Sequence, residues 1–236
     1  MNTVKKILLV SPFLILLFLN LYAKNIQEKS WQGKYNVQEI NIRDLLNWER
    51  QGLGIVDKGG HDQLIMSETT GSKGIMIVSP DIYEDNVVLS FDVMSLNAAK
   101  VLIVELLAHN TGNYGLTFPE NYDGNVKYLF KNVNMYMFAF HNAAHNKPGP
   151  FIRKYPVPGK EPIAKSEKSY MQNGIYYNVE LGRMDKKLFL KIDGNNVLET
   201  TDKESLEGGK LILRIRGTAH ELASCLLRNV KIHTEK

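Results

Sequence analysis

The segment Phe138–Pro156, FAFHNAAHNKPGPFIRKYP, gathers side chains suited to acid–base chemistry. His141 and His145 are two of the six histidines in the chain, and histidine is the side chain whose ordinary pKa lies nearest neutrality. Arg153 carries a planar fork that binds carboxylates bidentately. These are the parts of a β-elimination on a uronate. Arg153 or Asn142 would neutralise the carboxylate, His141 or His145 would take the proton from the adjacent carbon, and Tyr136 would protonate the leaving oxygen. Without proton transfer, the same region reads as a binding site. Arg153 and Lys154 would meet acidic groups, and Tyr83, Tyr114, Tyr136 and Tyr155 offer rings that stack on sugars while donating a hydrogen bond. A solvated surface loop is the plain alternative.

Strand alternation supplies a second set. In VLIVELLAHN, Glu105 and His109 share a face with Ile103 and Leu107. A glutamate in so apolar a strand is costly to bury without a partner. Ser90 and Asp92 share a face in NVVLSFDVMSL, and Arg214 and Arg216 share one in LILRIRG, opposite Leu211, Leu213 and Ile215. If these strands belong to one sheet, its open face is a charged groove; otherwise each is a solvated sheet face. The catalytic candidates are therefore His141, His145, Arg153 and Tyr136. The binding candidates are Asn142, Lys154, Tyr155, Glu105, His109, Arg214 and Arg216.

Other chemistries lack their patterns. The chain has no Gly-x-Ser-x-Gly elbow and no His-Glu-x-x-His pair. His141 and His145 have metal-ligand spacing only on a helix, and they sit at a strand exit, so no metal site is expected. The Glu-x-Asp-x-Glu strand of laminarinase-type glycosidases is missing, and only Glu105 with Asp92 offers two carboxyls for hydrolysis. No cofactor is expected beyond a structural calcium. The oxygen-rich NYDGNV, residues 121–126, is the local candidate and reads first as a plain turn.

The elements that must hold these residues are strands. GIMIVSP, NVVLSFDVMSL, KVLIVELLAHN, NMYMFAFHN, GIYYNVELGRM, KLFLKIDG, NVLET, KLILRIRG and CLLRNVKIH are short and β-branched or aromatic, bounded by Gly, Asn, Asp or Pro. Residues 184–187 and 193–196 read as hairpin turns, with Gly and Asn supplying positive φ in the second. NIRDLLNWERQG reads as a short helix or an edge segment, and no amphipathic helix is expected after Gly52. Many short strands with turns between them predict an all-β sandwich or jelly roll.

Residues 1–23 read as a secretory signal peptide, with a basic MNTVKK, an apolar run broken by Ser11, Pro12 and Asn20, and Ala23 at the cut. The rival is an uncleaved membrane anchor. Residues 24–47 form a polar lead-in and 48–236 the domain. Cys225 is the single cysteine, so no internal disulfide forms, which fits a bacterial periplasmic or secreted protein without covalent staples. The net charge of +4 carries no Lys/Arg block, so a nucleic-acid footprint is not expected, nor a membrane partner after signal cleavage.

The C-terminal stretches GIYYNVELGRMDKKLFLKIDGNNVLE and GKLILRIRGTAHELASCLLRNVKIH resemble the concanavalin A-like lectin/glucanase superfamily. More narrowly, IVSPDIYEDNVVLSFDVMSL followed by MYMFAFHNAAHNKPGPFIRKYPVPG resembles the uncharacterised-domain family typified by the YesU protein of rhamnogalacturonan-utilisation loci. The match falls on Tyr136, Phe140, His141, Asn142, Arg153 and Lys154. The resemblance implies a concanavalin A-like jelly roll of two antiparallel sheets and a polysaccharide or oligosaccharide partner, but no particular reaction. A polysaccharide lyase, a glycoside hydrolase and a non-catalytic glycan-binding module all remain open.

Overall fold

A computed structural model describes residues 34–98, 100–113, 115–142, 149–156, 161–218 and 221–236. The expected signal peptide, Tyr114 and His145 lie outside them. Residues 37–234 form one unit. The described residues of a second, 34–36 and 235–236, are joined by the Lys236 N–H donating to the Lys34 carbonyl at 3.3 Å.

The hairpins of the C-terminal half show how sequence sets the sheet. Strand β11 (Tyr176–Met184) turns into β12 (Lys187–Ile192) through Asp185 and Lys186, at φ 49° and 69°. Strand β12 turns into β13 (Asn195–Thr201) through Asp193 and Gly194, at φ 49° and 71°. Paired positive φ in a two-residue loop matches the right-handed twist of the flanking strands. The second turn uses Asp193, where Asn was expected.

Among the described residues fifteen strands form two antiparallel sheets. The eight-stranded sheet runs β13, β12, β11, β6 (Val87–Ser95), β15 (Ser224–Glu235), β4 (Leu64–Glu68), β3 (Gly54–Lys58), with β1 (Tyr35–Ile40) on β15 off this path. The seven-stranded sheet runs β10 (Ala164–Lys165), β9 (Phe151–Tyr155), β8 (Val133–Asn142), β7 (Lys100–Asn110), β14 (Lys210–Gly217), β5 (Ile75–Val78), β2 (Glu49–Gly52). The core between them takes Leu89, Phe91 and Val93 from one sheet and Val104, Tyr136, Phe138, Phe140 and Leu213 from the other. Phe91 and Phe140 meet edge to face, with ring centres 5.7 Å apart.

A second apolar cluster lies on the other face of the seven-stranded sheet. Met76, Ile103, Met135, Met137 and Ile212 pack there with Leu116, Tyr122 and Leu129 of the segment 115–132. That segment ends in the helix α2 (Val126–Asn132), where none was expected. Asn125 caps it, accepting the Lys127 N–H at 3.0 Å. Helix α2 has seven residues, too few for a helical period to show in sequence, and its packing face stabilises it. The earlier α1 (Ile42–Leu46) is capped by Asn41 and precedes β2, so residues 42–52 are both a helix and an edge strand. Among the described residues no helix is long and apolar enough to cross a membrane.

Candidate functional site

The covered face of the seven-stranded sheet holds the expected charged residues in a defined register. Glu105 on β7 lies opposite Met137 on β8, and Met137 lies opposite Arg153 on β9. Glu105 and Arg153 thus share a row two strands apart, about 10 Å between backbones. On its other side Glu105 faces Ile212 of β14, and Arg214 follows two residues along, opposite Ile103. Arg214 is therefore the diagonal neighbour of Glu105. Tyr155, opposite Met135, completes the group.

Glu105 is fully buried, and neither carboxylate oxygen has a hydrogen-bond partner among the described residues. Burial pushes its pKa up to about 7, while the charge of Arg214 pulls the other way. Arg214 is buried too. Its Nη2 donates to the carbonyls of Lys73 at 3.0 Å and Gly124 at 2.9 Å. Its Nε and Nη1 have no partner among the described residues. Burial lowers its pKa, and the charge of Glu105 opposes that.

A tight glycine packing delivers those carbonyls. Gly74 and Gly124 have φ of 138° and 83°, and a Cβ on Gly124 would lie 1.9 Å from the Gly74 oxygen. A Cβ on Gly74 would lie 2.5 Å from Arg214 Nη2. Only bare backbone lets the segment approach the guanidinium this closely.

Arg153 is half-buried. Its guanidinium carbon lies 5.1 Å from the Phe151 ring centre, and Nη1 makes a long 3.4 Å bond to the Tyr155 hydroxyl. The Tyr155 ring stacks on Phe130 of α2 at 4.3 Å and 5°. Burial raises the pKa of Tyr155, Arg153 lowers it, and the Glu105 charge raises it. Arg216 is exposed, opposite Val101. Arg214 and Arg216 thus share the face opposite Leu211, Leu213 and Ile215, as alternation predicts.

Two bulges take the histidines off this face. Leu107 at φ 55° interrupts the β7–β8 register, so His109 pairs with Asn134, on the side of Tyr136. Asn134 Nδ2 lies 2.9 Å from His109 Nε2, and the Leu107 carbonyl lies 3.1 Å from His109 Nδ1. The expectation that Glu105 and His109 share a face fails because one extra residue reverses the alternation. A second shift, between Leu102 and Ile103, puts His141 opposite Leu102, which packs in the inter-sheet core. His141 is buried, and burial with the charge of Lys100 pushes its pKa down to about 4. The expected rim cluster of His141 with Arg153 therefore does not form: the two lie on opposite sides of the sheet. Asn142 pairs with Val101.

Other expectations resolve differently. Tyr136 points into the inter-sheet core; its hydroxyl donates to Asp202 Oδ2 at 2.6 Å and accepts the Leu206 N–H at 3.1 Å. Lys154, opposite Tyr136, pairs with Asp202 at 2.8 Å and donates to the Glu204 carbonyl. Asp92 lies in the other sheet, where Asn178, Arg228 and Asn229 bond it, so the three polar strands do not make one groove. In NYDGNV, Asp123 pairs with Lys73 at 2.6 Å and accepts the Asn125 N–H. Tyr83 is buried. We predict that Tyr136→Phe costs about 1–3 kcal/mol, because it leaves the Leu206 N–H without its acceptor and removes one of the bonds to the Asp202 carboxylate. Urea unfolding measures this, and ligand binding on the opposite face should not change.

Tyr122, Phe130, Phe151, Gly74 and Gly124 were not anticipated. The available signal was the aromatic density of residues 118–130 in an otherwise polar loop.

No protein-family model matches the sequence, and no curated protein matches it. Solved structures do resemble the fold. A Bacillus subtilis protein of unknown function with a galectin-like fold aligns at TM-score 0.72 and 16% identity, over 86% of this chain and all of that one. The carbohydrate recognition domain of Emp46p aligns at 0.56 and 13%, over 80% of this chain and 88% of that one. A Bacillus licheniformis β-glucanase aligns at 0.53 and 11%, over 86% and 99%. At these identities the likeness establishes architecture: the chain is an antiparallel two-sheet jelly roll of the concanavalin A-like, galectin and glucanase type.

Proposed function

We propose that this protein binds a polysaccharide or oligosaccharide on the Arg153 margin of the seven-stranded sheet, with uronate-bearing glycans preferred. The observation that carries this is Arg153 itself: a half-buried guanidinium, braced on Phe151, whose one hydrogen bond among the described residues is long. Such a fork can take a carboxylate in two parallel bonds. Phe151 beside it supplies ring surface, and the buried Tyr155 hydroxyl helps to hold the guanidinium. The fold is one that a carbohydrate recognition domain and a β-glucanase also use. In this reading residues 1–23 direct export to the periplasm or exterior, and the narrower kinship is with the YesU-type domain family.

Cleavage is the second reading. The carboxyl of this face held at about 7, Glu105, is fully buried and would need another group to relay its proton to a glycan.

Arg153→Ala should weaken binding of uronate oligomers about tenfold or more, with folding little changed. Calorimetric titration against acidic and neutral oligosaccharides checks it, and equal binding by the variant overturns the site. Mass spectrometry of glycans incubated with the protein tests cleavage. Products one water lighter than hydrolytic ones mean β-elimination, ordinary masses mean hydrolysis, and intact glycans leave binding alone.

A further inference from the structure

Resting on that reading, we propose that Glu105 sets the charge preference of the face, so that its protonation strengthens, and its ionisation weakens, the binding of acidic glycans at Arg153. The geometry carries this. Glu105 shares a row with Arg153 across Met137 alone, and Met137 has no charge to intervene. The Tyr155 hydroxyl is bonded by Arg153 and feels the charge of Glu105, so it lies within the field of both. No described residue hydrogen-bonds the carboxylate, and its low-dielectric surroundings screen it weakly.

The groups around Glu105 are few. Strand β14 brings Arg214, with Arg216 further along; β9 brings Arg153 and Tyr155. Strand β8 brings Met135 and Met137, and β5, beyond β14, brings Met76 and Val78. The covering segment brings Tyr122 and Tyr128, with Asp123 already paired to Lys73. Burial raises the pKa of Tyr122, so it stays neutral. Glu105 is thus the one group of this set that changes charge near neutrality. His109 and His141 are held on the other side of the bulged strands.

An ionised Glu105 repels a carboxylate docked on Arg153 and partly satisfies the field of the arginines. A proton on Glu105 removes both effects. A unit charge about 10 Å away in a half-buried setting changes affinity about fivefold. The sign is fixed: acidic ligands bind more tightly below the Glu105 transition, and neutral ligands show no such slope.

The test is calorimetric titration of galacturonate, glucuronate and mannuronate oligomers, with neutral galacto- and gluco-oligomers beside them, at about pH 5.5 and about pH 8.5. Wild type should bind the acidic oligomers about fivefold more tightly at the lower pH. Glu105→Gln should bind them equally at both, near the tighter value. Glu105→Met should behave likewise, which separates charge from hydrogen bonding. A wild-type affinity without slope, or a slope that survives in both variants, overturns the proposal and leaves glycan binding standing. If no oligomer binds any form, the binding reading falls and this inference falls with it.

Discussion

Replacing Glu105 with glutamine raises the melting temperature near pH 8 by about 5 °C or more and leaves it almost unchanged below about pH 4.5. The sign follows from the direction of the shift. Burial lifts the Glu105 carboxyl from its ordinary 4.5 to about 7 in the folded protein. Below the unfolded value both states are protonated, and the group costs nothing extra. As pH rises from 4.5 towards 7 the unfolded chain loses its proton while the folded one keeps it, so stability falls. Above 7 the full cost is present, about 3 kcal/mol. Glutamine does not titrate, so the variant escapes this cost and retains only the smaller one of burying an amide. Thermal unfolding of both forms across about pH 4 to 9 checks it. A wild-type curve parallel to that of the variant would mean that Glu105 is not the titrating group.

Such a cost is one that functional sites often carry, since stability and site chemistry conflict there. The local physics supports this view. Arg214 offsets part of the burial of Glu105, yet Nε and Nη1 of the arginine and both oxygens of the glutamate have no hydrogen-bond partner among the described residues. An ion pair built for stability would use those atoms on each other. These two groups share a field without making the bond.

How much of this could be read from sequence depends on which residues set the phase of each strand. In β14 alternation is unbroken, so the division of Arg214 from Leu213 and Ile215 was legible. In β7 the same reasoning placed Glu105 correctly with Ile103 but carried His109 with it. Leu107 in the left-handed region breaks the register, and nothing in VLIVELLAHN marks a leucine for that role. The jelly roll was legible because its strands are bounded by turn residues whose local chemistry is strong, as at Asp193 and Gly194. Sheet membership was not: Asp92 and Glu105 have similar polar positions in similar strands, and only long-range pairing separates them. The cover over Glu105 was hidden for a different reason. Residues 115–132 pack through scattered aromatics, Phe118, Tyr122, Tyr128 and Phe130, which follow neither strand nor helix period.

Gly124→Ala should be a strongly damaging single-methyl change, costing about 3 kcal/mol or more. Its φ of 83° already disfavours alanine, and the new Cβ would sit 1.9 Å from the Gly74 carbonyl oxygen, a backbone atom with no rotamer to yield. Gly71→Ala separates the two causes: at φ 87° it has the same backbone strain, but nothing lies within 4 Å of its Cβ. It should cost about 1 kcal/mol, and urea midpoints of the two variants measure the difference. Similar costs for both would show that conformation, not close approach, makes Gly124 necessary. The steric part also has an electrostatic consequence. The Gly124 carbonyl accepts from Arg214 Nη2, so displacing it releases the guanidinium from its fixed place beside Glu105. With the opposing charge less well held, the Glu105 carboxyl should titrate still higher, and the pH range over which the protein loses stability should move upward in Gly124→Ala but not in Gly71→Ala. A methyl group absent from position 124 thereby helps to set the charge of a carboxylate on the facing sheet.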